Sequence, residues 1–183
     1  MAVTLALGPD YFIRPWRNDD VEALVRHAND RRIWLNLTDA LPHPYTEESA
    51  RAFLAHVARM TPVTWLAIAN REEAIGGIGY TLREGVERVG AEMGYWLGAA
   101  YWGRGIMTRA VTALTSFAFE QHPELCRLFA VPYAWNPASA RVLEKAGYRL
   151  EGLMRQSAIK DGRVVDQLLY ARTREMAGPA FSS

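Results

Sequence analysis

The chain has 183 residues, half of them apolar and 22% charged, with 21 basic residues against 20 acidic and a formal net charge of +1. That length fits one domain with a filled core, and that balance excludes a general attraction to nucleic acid or to a membrane surface. The single cysteine, Cys126, excludes an internal disulfide, and no apolar stretch is long enough to span a bilayer.

The start, MAVTLALGPD, lacks a positively charged leader and a long apolar core, so it does not read as a signal peptide. A cytoplasmic protein is the expectation. With no repeat, linker or low-complexity tract, residues 1–183 read as a single domain, with 176–183 a loose tail.

Tyr11 to Trp16 is a strand candidate. Asn18 or Asp19 can cap a helix through Val21, Leu24, Val25 and Ala28. Leu35 to Tyr45, with Asn36, Pro42 and Pro44, reads as a loop, and Thr46 can cap a second helix with Glu47 and Glu48 in its first turn. Thr64 to Ala69, Ile75 to Leu82 and Val89 to Leu97 have strand composition, with Gly85 and Gly90 marking a turn, so an antiparallel meander is expected. A helix over about Ile106 to Phe119 and a strand over Arg127 to Tyr133 follow. Asn136 caps a further helix, Pro137 lies in its first turn and Gly147 just past its end. Two last strands flank Asp161-Gly162, a tight hairpin signal. The order is β-α-α-β-β-β-α-β-α-β-β. The strand-helix-strand run over 89–133 implies a parallel pair inside a mostly antiparallel sheet, an α/β (α+β) class.

YWGRGIMTRAV, from Tyr101 to Val111, places Gly103, Arg104 and Gly105 directly before a helix. A helix start leaves N–H groups unpaired with partial positive charge outward, and glycines let an anion approach them. Arg104 adds a cation. The arrangement suits a pyrophosphate; a plain strand-to-helix turn needing glycine geometry is the alternative. A Walker loop is excluded by the missing Gly-Lys-Ser/Thr ending, and the dinucleotide fingerprint fails as well.

EMGYWLGAAYWGRGIMTRAV, followed by NPASARVLEKAGYRLEG, resembles the GNAT acyltransferases, in the branch typified by RimJ and RimL. The resemblance extends to R-P-W-x-x-x-D-x at Arg14 to Val21 and D-G-x-x-x-D-Q-x-x-Y at Asp161 to Tyr170. It implies a GNAT fold of about seven strands, with a splayed parallel pair, and about four helices. It implies transfer of acetyl from acetyl-CoA to a primary amine by direct attack, the acceptor being a protein N-terminus or a small-molecule amine. A non-catalytic acyl-CoA-binding or sensing module of the same fold is the alternative. Oligomeric state stays open, a homodimer included. No metal is expected, since His27, His43, His56 and His122 show no ligand spacing.

The family's phosphate signature falls on Trp102, Gly105 and Met107, the last a departure from a small residue that is tolerable if its side chain points into the core. By resemblance, the amides of Arg104, Gly105, Ile106, Met107 and Thr108 hold the pyrophosphate, and Leu97 and Gly98 lie along the pantetheine arm as an added strand would. The resemblance implies that Asn136, a helix cap, also meets the cofactor and that Ser139 lies near the thioester sulfur as a proton donor to the departing thiolate, a solvated or capping serine being the alternative; Arg141 is either solvated or a contact to the phosphates. The tyrosine many relatives carry four residues after the serine is Leu143 here, and the further glutamate of RimL-like enzymes is Ala158. Tyr148 reads as core packing.

An α-amine, pKa near ~8, is partly neutral at pH 7, whereas lysine, near ~10.4, is not. Glu92 interrupts an apolar strand and is the candidate base, with burial raising its pKa; an outward-facing glutamate is the alternative. Trp34 and Tyr95 are the acceptor-side candidates among aromatics that mostly belong to the core.

Overall fold

The computed structural model describes residues 3–174 apart from 61 and 63. Where apolar residues alternate, strands form; where they recur every three or four, helices form. In chain order these are β1 (Leu5–Ala6), β2 (Phe12–Arg14), α1 (Val21–Ala28), α2 (Arg31–Trp34), α3 (Glu47–Val57), β3 (Trp65–Ala69), β4 (Ala74–Leu82), β5 (Gly90–Leu97), α4 (Ile106–Gln121), β6 (Arg127–Ala130), α5 (Pro137–Lys145), β7 (Arg149–Lys160) and β8 (Arg163–Thr173). All eight strands join one sheet in the order β1-β2-β3-β4-β5-β6-β8-β7. Among the described residues only the β5–β6 pairing is parallel.

This is the expected mixed architecture with one strand and one helix more than the sequence pattern predicts. The additions, β1 and α2, span two and four residues, too short to show a period. The expected tail at 176–183 lies outside the described residues.

Local signals act as anticipated at two helix starts. Thr46 accepts from the Ser49 N–H at 3.2 Å, and Asn136 Oδ1 accepts from the Ser139 N–H at 3.1 Å, with Pro137 at the first position. The first helix differs. Asn18 and Asp19 do not cap it but lie in a 3-10 turn, Asn18–Asp20. Asp20 is buried and accepts from the Arg17 N–H at 2.8 Å and from both Arg14 guanidinium nitrogens at 2.7 and 2.6 Å. The charge of buried Arg14 draws the carboxylate away from the helix end.

Helices cover both faces of the sheet. Ala91, Met93 and Leu97 of β5 pack with Ile106, Val111 and Leu114 of α4 and Leu143 of α5 in the main core. Trp96 packs on the opposite side with Leu24 of α1 and Leu54 of α3. By the strand's two-residue period, Glu92 and Gly94 share the face of Trp96, and Tyr95 shares the face of Met93.

The β5–β6 pair opens partway. Its register runs Gly90↔Arg127, Ala91↔Leu128, Glu92↔Phe129 and then ends, while β5 continues to Leu97. Beyond β6, the Val131 carbonyl accepts from Gln167 Nε2 at 3.3 Å, so a β8 side chain takes the place that a β5 amide would fill. A V-shaped gap results in the middle of the sheet.

Candidate active site

One cavity of about 1380 Å³ occupies this gap and reaches both faces of the sheet. On the α4–α5 side it is lined by Leu97, Gly103, Gly105, Ile106, Met107, Thr108, Asn136, Ser139 and Arg141. On the other side it is lined by α2, the loop after it and α3, with Trp65, Thr81, Glu92, Gly94 and Trp96 beneath.

The turn into α4 has the form an anion needs. Gly103 has φ +76° and Gly105 φ +69°, a left-handed conformation that side chains resist. The first backbone bond of the turn is Arg109 N–H to the Gly105 carbonyl at 3.2 Å. The amides of Ile106, Met107 and Thr108 therefore precede any intrahelical acceptor, and these residues line the cavity. The Met107 side chain is buried in the core, so the departure from a small residue does not obstruct the turn.

Arg104 departs from expectation. Its Nη2 donates to the Ala100 carbonyl at 3.0 Å and its guanidinium lies 5.4 Å from the Tyr101 ring centre. The cation is folded back on its own loop, and Arg104 is not among the cavity-lining residues. Gly98 also departs: its N–H donates back to the Ile75 carbonyl at 2.8 Å, toward β4. The amides facing the gap by alternation are those of Met93, Tyr95 and Leu97. The Leu97 carbonyl there accepts from Trp102 Nε1 at 2.7 Å.

Tyr95 is the largest correction among the site residues. It does not stand on the acceptor side. Its hydroxyl lies 2.7 Å from Ser139 Oγ and 3.4 Å from the Ser139 carbonyl, on the α5 side of the gap. Burial pushes its phenol well above the ordinary range, so it stays protonated and available as a donor. Tyr148 is core, as expected: its hydroxyl pairs with Thr115 Oγ1 at 2.8 Å.

Trp34 is also displaced from its expected place. It is absent from the cavity wall and forms the centre of a cluster. Lys160 Nζ sits 3.9 Å over its ring, Arg31 lies on it, and His43 stacks at 5.6 Å. Lys160 is buried and pairs with Asp39 at 2.8 Å. The hairpin tip between β7 and β8 is thereby tied to α2 and the loop after it, an attachment of 121 residues' separation that no local pattern signals.

Glu92 does line the cavity, on the α3 side, but it is not buried as expected. Its side chain is 44% exposed and pairs with Arg83 at 2.8 Å. Asn136 and Ser139 stand together at the start of α5, as their spacing implies, and Arg141 is exposed on the cavity rim. Two residues escaped the sequence reading. Gln167, inside the quoted terminal motif, donates to the Val131 carbonyl and lines the cavity. Trp65 floors the α3 side, and its signal was a set of glycines, Gly79 and Gly94, on neighbouring strands. Among the described residues no group of three His, Cys, Asp or Glu side chains is placed to hold a metal, and no helix is long and apolar enough to cross a membrane.

Residues 11–149 match the model of the acetyltransferase (GNAT) domain family. The chain is similar to the uncharacterised N-acetyltransferase p20 of Bacillus licheniformis, 27% identical over 177 residues, covering 91% of this chain and 94% of that one. It is similar to the ribosomal-protein-serine acetyltransferase of Escherichia coli K12, 34% identical over 105 residues, 57% of this chain and 58% of that one. Among solved structures, RimL, a ribosomal L7/L12 α-N-protein acetyltransferase in complex with coenzyme A, superposes with a TM-score of 0.81. That match is 22% identical and covers 93% of this chain and 98% of the other, a likeness of fold.

Proposed function

Because the chain belongs to the GNAT acetyltransferase family, an acyltransferase family that uses acetyl-CoA, we propose that its single domain acetylates a primary amine, in the cytoplasm, by direct attack on bound acetyl-CoA. The observation that carries this reading is the cavity through the splayed β5–β6 pair, with a glycine-bounded helix start on one side and a separate chamber on the other. The residues fit the donor: a left-handed turn at Gly103 and Gly105 precedes three amides without intrahelical acceptors, and these can take a pyrophosphate.

In this reading the amides of Ile106, Met107 and Thr108 hold the phosphates with help from Arg141, while the free edge of β5 at Tyr95 and Leu97 receives the pantetheine arm. Asn136 fixes the start of α5 and so the place of Ser139. A nitrogen–carbon bond forms, the carbon–sulfur bond breaks, and the sulfur leaves with the electron pair. Ser139 stands to donate a hydrogen bond to that sulfur. Tyr95, donating to Ser139 Oγ, leaves the serine's own hydrogen directed away from the phenol. Glu92, facing the acceptor chamber, accepts the amine's proton directly or through one water. The acceptor is a protein N-terminus or a small amine; relatives that act on ribosomal proteins favour asking about the first.

The test is thiol release from acetyl-CoA with a mixed panel of amines and peptides. Release that depends on the amine supports the enzyme. Stabilisation by acetyl-CoA with no release across the panel would establish a binding module instead.

A further inference from the structure

On the acceptor side, three strands meet in one transverse row: Trp65 of β3 opposite Gly79 of β4, opposite Gly94 of β5. The indole lies along that row. A Cβ added at Gly79 would come within 2.5 Å of Trp65 Cδ2, and one at Gly94 within 2.8 Å of Cη2. Side chains at these two positions would therefore displace the ring. Strand glycines weaken a sheet; here two in register leave a slot that a tryptophan fills. The ring tip reaches β5 between Glu92 and Trp96, on the stretch where β5 leaves β6.

Trp65 is half-buried and lines the cavity, as do Phe53, Val57 and Met60. The chamber's acidic lining residues are Glu48 and Glu92, and Glu92 is paired to Arg83. An extended polycation would find little charge to meet there, whereas an apolar group would find an aromatic floor and an aliphatic and aromatic wall.

We propose that Trp65 is the platform for the acceptor's apolar group, so that the preferred acceptor is a primary amine carrying an aromatic or branched aliphatic group within a few bonds of the nitrogen. This rests on the acetyltransferase reading and narrows it. With the group on the indole, the nitrogen lies at the edge of the gap, beside Glu92 on the neighbouring position of the same strand face.

The experiment measures coenzyme A release with phenylalaninamide, glycinamide and spermidine. Wild-type protein is expected to favour phenylalaninamide in kcat/KM by about tenfold or more, the worth of burying one aromatic side chain. Trp65→Ala is expected to raise KM for phenylalaninamide by about the same factor while KM for acetyl-CoA stays within about twofold. Gly94→Ala keeps the indole but crowds its tip, and is expected to shift the same KM in the same direction. It serves where Trp65→Ala fails to show the acetyl-CoA-dependent thermal shift of a folded protein. Turnover with equal or reversed preference, or a Gly94→Ala protein with unchanged KM, overturns the platform and leaves acetyl transfer standing. No release with any amine overturns both.

Discussion

The Tyr95 hydroxyl lies 2.7 Å from Ser139 Oγ, joining β5 to the first turn of α5 across the gap in the sheet. The two residues are 44 positions apart and act as one polar group at the point where the thioester sulfur is proposed to rest. If Tyr95 acts by orienting Ser139, removing either oxygen should cost the same step. Tyr95→Phe and Ser139→Ala are each expected to lower kcat by about tenfold to a hundredfold, the worth of one hydrogen bond to a charged group. The double variant is expected to be little worse than the worse single one. Additive losses, or losses only in KM for acetyl-CoA, would separate the two residues.

Gly105 holds φ +69° at the mouth of the proposed phosphate cradle, with Arg109 Nη1 3.4 Å from where a Cβ would stand. Gly105→Ala is expected to cost about 1–2 kcal/mol of stability through the left-handed backbone alone. Gly105→Glu adds a carboxylate facing the proposed phosphates. It is expected to abolish the thermal shift given by acetyl-CoA, and normal binding would remove this turn from the donor site.

Glu92→Gln tests the base. A positioned base is worth roughly 10²- to 10⁴-fold, so turnover is expected to fall by a factor in or below that range, with acetyl-CoA affinity kept. An unchanged pH–rate profile would take Glu92 out of proton transfer.

Lys160 is a buried ammonium whose partners are Asp39 and the face of Trp34. Asp39 is mostly exposed, its side chain 78% accessible. The two ends of this pair should respond unequally. Asp39→Ala leaves a buried cation with the indole alone and is expected to destabilise by about 3 kcal/mol; Lys160→Met leaves only a solvated carboxylate and is expected to cost less. Urea melts of both variants measure this, and equal losses would contradict the asymmetry.

Tyr45, Tyr80 and Tyr148 have phenols pushed up to about 12 by burial. For such groups the folded state keeps its proton while an unfolded phenol, near ~10, gives it up. Their contribution is intact below about pH 10 and is lost as pH rises from there toward 12, at about 1.4 kcal/mol per unit for each phenol. Tyr148→Phe is expected to flatten the alkaline limb of the stability curve, measured by denaturant melts from pH 9 to 12.

The helix start at Ile106, the Asn136–Pro137 cap and the Asp161-Gly162 hairpin are legible because each is set by residues close in sequence, and the parallel pair because a strand-helix-strand run brings its second strand back parallel to the first. Backbone preference acts over a few positions, and a glycine before a helix means much the same in any fold. The short elements β1 and α2 were not legible, since two to four residues carry no period. The cap expected at Asn18 or Asp19 does not form, because both residues lie in a 3-10 turn that ends at Asp20, whose carboxylate is held by Arg14.

The site divides along the same line. Strand alternation in AEMGYWLG dictates that Tyr95 and Glu92 point to opposite faces, whatever surrounds them. Which face receives donor and which acceptor depends on α4 and α5 packing on one side and α1 and α3 on the other. Trp34 was drawn out of the chamber by Lys160, and Arg104 was turned back by the Ala100 carbonyl. So the sequence by itself determined the elements, the glycine turn and the opposition of Tyr95 to Glu92. Tertiary structure alone decided that Tyr95 meets Ser139, that Gln167 meets the Val131 carbonyl, and that Trp65 lines the α3 side of the cavity. Those contacts join chain segments far apart, and their strength comes from burial and charge pairing that exist only once the sheet has assembled.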